Sequence, residues 1–362
     1  MFHILSITCL NVLFICLGLI KLTFWAILFI RLLFKTKASL QVDKSSFSVI
    51  VCIKNDAEYL KNLINIADQQ AISELILVDD FSDKYTKEQI NKLQMSKLKV
   101  IHASENISGK KNALTCGISA SNEENLLLTD IDCQPASAEW GTLMTRPLMN
   151  GYDLVLGYGA YRKKAGLLNR FIRFDTLMIA IQYFSFALIN RPYMGVGRNM
   201  AYSKSLFKTT EGFSNHLDLA SGDDDLFVQS LGKQAKVYSQ LEPDAFTISE
   251  PKSTWSEFIG QKARHISTAT AYQWFHQVIL VLFSASHILF YFLFFTLLLI
   301  SEIKLLILIY LMTIFHAWIL FYKLSKKFNE SDLAKWFPFL DIIYFIYMLV
   351  LFPALFIKKK TW

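Results

Sequence analysis

Residues 4–34 form an almost unbroken apolar run, ILSITCLNVLFICLGLIKLTFWAILFIRLLF. A helix needs roughly 20 such residues to cross a bilayer, so this run alone rules out an ordinary soluble fold for the start of the chain. A secretory signal would have a shorter apolar core and a small-residue cleavage site. This run ends instead in Arg31, Lys35 and Lys37, which predicts a retained anchor. Residues 273–300, 304–322 and 337–357 have the length and apolarity of further spans. Four spans are therefore expected, dividing the chain into an N-terminal transmembrane anchor (1–36), a water-soluble module (45–252), an interfacial segment (253–271) and a C-terminal transmembrane region of about three spans (272–362).

Charge orients that arrangement. Arg31, Lys35 and Lys37 follow the first run, Lys262, Arg264 and His265 precede the second, and Lys323, Lys326 and Lys327 follow the third. Lys and Arg near span ends favour the cytoplasmic side, which places the module there, in the cytoplasmic (inner) membrane of a bacterium. The final IKKKTW runs against a four-span count, which would put it outside. The net charge of +7 reads as lysines beside anionic lipid, with no nucleic-acid partner. Cys9, Cys16, Cys52, Cys116 and Cys133 form no CxxC pair or metal spacing, as expected of free thiols in a reducing compartment.

Within the module, FSVIVCI (47–53), ELILVDD (74–80), KVIHA (99–103), NLLLTDID (125–132) and DLVLGYGAY (153–161) read as strands. Stretches with apolar spacing near 3.6 separate them. This alternation predicts an α/β fold with a mostly parallel, Rossmann-like sheet. Ligands of such sheets bind at the carboxyl ends of the strands. Acids stand at three of those ends: Asp56, the pair Asp79 and Asp80, and the pair Asp130 and Asp132. A single acid there is commonly a cap or turn former; three ends carrying acids predict a shared site.

Strand periodicity sends Asp130 and Asp132 to one face. Two adjacent carboxylates repel, and a hard divalent cation, Mg²⁺ or Mn²⁺, relieves that repulsion while sharing its shell with phosphate oxygens. A nucleotide diphosphate is the matching partner. Asp79 or Asp80 could accept a hydrogen bond from its base or ribose. Lys110 and Lys111, at a helix start in GKKNAL (109–114), suit its phosphates, although a solvated helix face would explain them equally. Asp223, Asp224 and Asp225 enter a helix; one acid would serve as a cap, and three repel. Residues 254–274 read as an amphipathic helix at the interface, with Gln261 and Arg264 three apart on one side.

Taken in order, SVIVCIKNDAEYL, ELILVDDFSD, GKKNAL, TDID, GVGRNMAYSKSLF, SGDDD and QKARH resemble the motifs of membrane-bound family 2 glycosyltransferases. That group includes cellulose, chitin and hyaluronan synthases and ceramide glucosyltransferases. The resemblance covers roughly residues 47–269. It implies a GT-A domain, a nucleotide-sugar donor (usually UDP-linked) and inversion at the anomeric carbon. It further implies that Asp224 is the general base and that Asp130 and Asp132 serve metal and diphosphate. Donor binding falls to Asp79 or Asp80, Lys110, Lys111, Asp130, Gln261 and Arg264. Gly195, Gly197, Asp223 and His265 lie on the acceptor side.

His265 departs from the tryptophan of the family's Q-x-x-R-W, and few spans follow the module. Both favour a single transfer to a lipid-linked or membrane-proximal acceptor over a processive polysaccharide synthase. A non-catalytic nucleotide-sugar-binding partner subunit is the reading from another class, and the full set of acids weighs against it. A transporter would need paired charges inside the spans; His287, His316 and Asp341 are too few, and the histidines read as packing residues. Tyr158, Tyr161, Phe171, Phe174 and Tyr183 suggest an aromatic surface for acceptor or membrane.

Overall fold

The structure is a computed structural model, and it describes all residues except 1, 37, 42–45, 70, 105–108, 218, 220, 232–234, 267, 301–302 and 357–362. Ser45, Lys37 and the terminal IKKKTW, which entered the expected boundaries and orientation, lie outside the described residues. The chain forms two compact units. One gathers the N-terminal segment to Thr36, Arg170–Ser185 and the chain from Thr254; the other holds the chain up to Asn169 and Phe186–Ser253. The expected module is thus interrupted, since Arg170–Ser185 groups with the membrane helices.

In the second unit, seven strands form one sheet among the described residues. In chain order the strands of the unit are β1 (Phe47–Ile53), β2 (Ile72–Asp79), β3 (Leu98–His102), β4 (Asn125–Asp130), β5 (Cys133–Pro135), β6 (Leu154–Leu156), β7 (Gly159–Tyr161), β8 (Met200–Ser203), β9 (Val237–Ser239) and β10 (Thr247–Ser249). The main sheet runs β3-β2-β1-β4-β8-β6-β9. Its first four strands are parallel, and β8 is antiparallel to both neighbours. Val49, Ile50, Val51, Leu75, Ile76, Leu77, Leu126 and Leu127 are fully buried. Each such side chain contributes about 1.5–3 kcal/mol, so this apolar centre holds the sheet.

Register levels the ends of the parallel strands. Asp79 pairs with Ile53 and with His102, and Asp130 pairs with Cys52. All the acids at strand ends therefore reach one edge. The expected strand 153–161 is two: β6 joins the main sheet, while β7 joins β5 and β10 in a small second sheet. Asn199 holds that split. Its fully buried amide donates to Tyr158 O and Ala245 O and accepts from Trp140 Nε1, each at 2.9 Å.

In the first unit, five helices are long and apolar enough to cross a membrane: Thr8–Phe34, Leu167–Leu188, Trp274–Leu297, Lys304–Lys327 and Ser331–Ala354. Four correspond to the expected spans. A third of the central window of each is buried, against 89% for Leu167–Leu188. That helix is a covered one. Its Phe171 meets Trp255 and Tyr347, and Phe174 meets Phe321 and Tyr344, with ring centroids 5.1–5.8 Å apart. The expectation of an exposed aromatic surface is overturned: Tyr158, Tyr161, Phe171, Phe174 and Tyr183 are all buried, because aromatic area is worth most in a packed interior.

The spans also carry a charge pair that the sequence reading passed over. Lys21, inside the first span, reaches Asp341 Oδ2 at 3.4 Å and His287 Nδ1 at 3.1 Å. Tyr291 donates to the same Asp341 oxygen at 2.6 Å. All four side chains are buried, so three helices meet at one satisfied polar cluster. Buried ions are stable only when paired. Lys21→Met should therefore lower stability by about 3–5 kcal/mol by stranding Asp341. Lys21→Met with Asp341→Leu should recover most of the loss. Thermal unfolding of the purified protein in detergent checks both; equal melting of the single variant and wild type would contradict this role.

Candidate active site

At the ends of β1 and β2 the chain turns sharply. Asn55 and Phe81 adopt φ of 61° and 58°, a left-handed conformation uncommon outside glycine and concentrated at functional sites. Asp79 is turned inward: Oδ1 accepts from Ser82 N at 2.9 Å, and Oδ2 lies 3.2 Å from His102 Nδ1. Asp80 Oδ1 accepts from Gly109 N at 3.1 Å, and Oδ2 faces Lys54 Nζ at 3.5 Å. Both aspartates are buried. Asp80 ties the β2 end to the entry of helix Lys110–Ala120, and Asp79 ties it to the end of β3. Asp56 stands in the turn after β1, its carboxyl raised by burial and then by Glu58.

Helix Lys110–Ala120 opens with the two lysines, and they part company. Lys111 points inward and donates to Leu219 O at 3.0 Å, ordering the loop ahead of the triple aspartate. Lys110 lies between two carboxylates, 2.8 Å from Asp130 Oδ1 and 3.2 Å from Asp223 Oδ2. Neither lysine is on a solvated face; their side chains are buried or nearly so. Burial alone would lower the Lys110 pKa, but the charges of Asp130 and then Asp223 hold it well above the ordinary value. Its ammonium is a permanent cation.

The triple aspartate divides its work. Asp223 pairs with Lys110. Asp225 is buried and accepts from Leu226 N at 2.8 Å. Asp224 caps helix Asp225–Ser230, accepting from Asp225 N at 2.8 Å through Oδ1 and from Gly197 N at 3.0 Å through Oδ2. Burial first, then the charges of Asp223 and Asp225, push its carboxyl up to about 7. That is a group able to hold or release a proton near neutrality. Gly197 backs onto the cluster: a Cβ there would stand 3.4 Å from Asp223 Oδ2 and 3.6 Å from Lys110 Nζ. Gly195 instead packs toward Leu156, Met200 and Val228, away from the carboxylates.

β4 ends at Asp130, and Asp132 stands in the following turn, so strand alternation does not govern the second acid. Burial, then the charge of Asp130, raises the Asp132 carboxyl, and Arg198 opposes that shift. Arg198 is the residue the sequence reading left without a role. Its guanidinium lies 4.4 Å from the Tyr161 ring centre and donates to Gly159 O. Its carbonyl accepts from Thr129 Oγ1 at 3.0 Å and Thr247 Oγ1 at 3.1 Å. The signal was the arginine inside GVGRNM, between Gly197 and the buried Asn199.

The structure thus brings together Lys110, Asp130, Asp132, Gly197, Asp223 and Asp224 in one unit, with Asp79 and Asp80 at the end of β2, separated from β4 by β1. Gln261, Arg264 and His265 belong to helix Trp255–Ile266 of the other unit. Among the described residues, no group of three or more His, Cys, Asp or Glu forms a closed metal cage. Two carboxylate donors do fit Mg²⁺ or Mn²⁺, which take one or two carboxylates and complete their shell with water and phosphate oxygens.

Residues 48–210 match the family described as Glycosyl transferase family 2. Among solved structures, the chain is similar to the mannosyltransferase PcManGT from Pyrobaculum calidifontis in complex with GDP-Man and Mn²⁺. That likeness has 14% identity and a TM-score of 0.56, covering 94% of this chain and 97% of the other. A structure described as a mycobacterial protein aligns at 16% identity and a TM-score of 0.40, over 62% and 74% of the two chains. The first likeness shows a shared GT-A-like fold; the second carries no argument. No curated protein matches the chain.

Gly159 supplies a local test of this geometry. A Cβ there would collide with the Arg198 side chain, which forces the guanidinium off Tyr161. Gly159→Ala should cost about 1–3 kcal/mol through overpacking. Chemical denaturation checks it, and a midpoint equal to that of wild type would contradict the placement of Arg198.

Proposed function

Because residues 48–210 carry a family 2 glycosyltransferase domain, we propose that the protein is an inverting, metal-dependent glycosyltransferase of the cytoplasmic membrane. Its module faces the cytoplasm. It moves a sugar from a nucleotide-sugar donor to a lipid-linked or membrane-proximal acceptor. The observation that supports this most is the meeting of Lys110 with Asp130 and Asp223 beside an Asp224 carboxyl raised to about 7. Such a site pairs a cation for departing phosphate with a base for an incoming hydroxyl.

The chemistry follows from those groups. A sugar or lipid hydroxyl is a poor nucleophile, so Asp224 takes its proton as the oxygen attacks the anomeric carbon. The new carbon–oxygen bond forms as the bond to the donor diphosphate breaks. The diphosphate leaves with the electron pair, and the proton stays on Asp224. The Lys110 ammonium offsets the charge that develops on the leaving group. Asp130 and Asp132 would hold the divalent ion, which supplies further charge neutralisation at the diphosphate; Mn²⁺ accompanies GDP-Man in the similar mannosyltransferase. Asp79 or Asp80 would fix the nucleoside, Lys111 would support the donor loop, and Gly197, Asp223 and His265 would face the acceptor, while Gly195 packs behind them. Gln261 and Arg264 are assigned to the diphosphate on the family resemblance.

Purified protein in lipid with Mn²⁺ should transfer label from a panel of UDP-glucose, UDP-N-acetylglucosamine and GDP-mannose into a lipid-extractable product. Asp224→Asn should lower that rate by about 10²–10⁴-fold. Predominantly high-mass product would mark a processive synthase, and donor binding without transfer to any supplied acceptor would favour a binding subunit. Asp224 must be ionised to act as base, so wild-type turnover should fall as pH drops through about 7. A pH-independent rate between 5 and 8 (roughly the window that brackets this group) would argue against Asp224 as base. Chelation should abolish transfer and added Mn²⁺ should restore it.

A further inference from the structure

Helix Trp255–Ile266 carries three cationic or titratable residues in a row of four, Lys262, Arg264 and His265, and they do not face the same way. Arg264 and His265 are exposed, while Lys262 is buried at 8%. Its ammonium lies 2.6 Å from Asp175 Oδ2. Asp175, in the middle of the covered helix Leu167–Leu188, is itself only 1% exposed. The Lys262 ammonium also lies 5.5 Å from the centre of the Phe258 ring. Phe258, one turn earlier on the same face, is fully buried and stacks on Tyr347 at 5.7 Å.

We propose that Lys262 is a positioning residue whose buried ion pair with Asp175 fixes the rotational setting of helix Trp255–Ile266. Successive residues of a helix differ by about 100°. With Lys262 directed inward, Arg264 is directed about 200° away, to the opposite side, and Gln261 shares that side at i, i+3. Phe258 shares the inward side with Lys262, so its burial and its stacking on Tyr347 keep that face turned to the interior, and the ion pair narrows the setting within that face. Lys262 has one buried carboxylate to meet on the covered helix, and a roll that parts them would leave two charges buried and unpaired. A buried ion pair adds little net stability over apolar residues of similar volume, and fixing register is its best-attested use. The Arg173 guanidinium, close by on the covered helix, is likewise paired with Glu330 and Asp332. Helix Leu167–Leu188 therefore provides a fixed reference for the latch. The inference rests on the reading that Gln261 and Arg264 serve the donor.

The test measures the setting of the helix apart from catalysis. Arg264→Cys is placed in the full chain in lipid nanodiscs, and its modification by a membrane-impermeant maleimide is followed by gel shift, with the parent's own five cysteines as baseline. Adding Lys262→Met with Asp175→Leu removes both charges while keeping apolar volume, so folding, checked by thermal melting, should persist. The expected result is modification of the introduced thiol slowed by at least about threefold, the signature of a population rolled inward. A rate within about threefold of the parent, or a faster one, overturns the latch. If the double variant does not fold, Asp175→Asn on the same Arg264→Cys background gives the same two outcomes. Transfer by Arg264→Ala is measured separately. Wild-type transfer there would remove the functional reading of Arg264 while leaving the latch intact, whereas slowed labelling with lost transfer supports both.

Discussion

A lysine ammonium held between carboxylates from two distant stretches of chain organises the site. Lys110 begins one helix, Asp130 ends β4, and Asp223 precedes another helix nearly a hundred residues later; the two contacts are 2.8 and 3.2 Å. In a buried setting each of these charges would be costly alone. Together they are neutralised enough to lie side by side, and they draw the strand ends and the 195–225 region to one place. Gly197 lies against the same cluster, and its amide donates to Asp224. Without Lys110, Asp130, Asp223 and Asp224 would repel one another, and the loops that carry them would have no reason to converge.

Paired burial of charge recurs in the other unit. Lys21 with Asp341, Arg173 with Glu330 and Asp332, and Lys262 with Asp175 each join separate helices. Lipid offers no hydrophobic drive between apolar helices, so packing and polar contacts must set their arrangement. Aromatic packing supplies the area, as in the contacts of Phe171 and Phe174. The ion pairs supply the directionality.

Much of this was legible in residues alone. Four of the five helices long and apolar enough to cross a membrane showed as apolar length, and the parallel strands showed as short buried runs ending in acids. The carboxyl-end rule then placed Asp79, Asp80 and Asp130 at one edge before any contact was known. Other features were not legible. Nothing near Lys21 in the chain marks its role, because its partner lies more than three hundred residues later. Helix Leu167–Leu188 is long and apolar enough to cross a membrane, yet burial of its charges and aromatics makes it an interior element. Lys110 and Lys111 are adjacent and chemically alike; only the 100° turn between them sends one to Asp130 and the other to Leu219 O.

What the sequence by itself determined was local and periodic: where the chain is apolar enough for lipid, where strands alternate with helices, and which strand ends carry acids. These follow from spacing, which every residue shares with its near neighbours. What only the tertiary structure decided was pairing. Which of three aspartates meets the lysine, which caps a helix, and which cation of QKAR turns inward depend on groups brought close from far along the chain. Coulomb and hydrogen-bond energies fall steeply with distance, so those roles exist only once folding has fixed the distances.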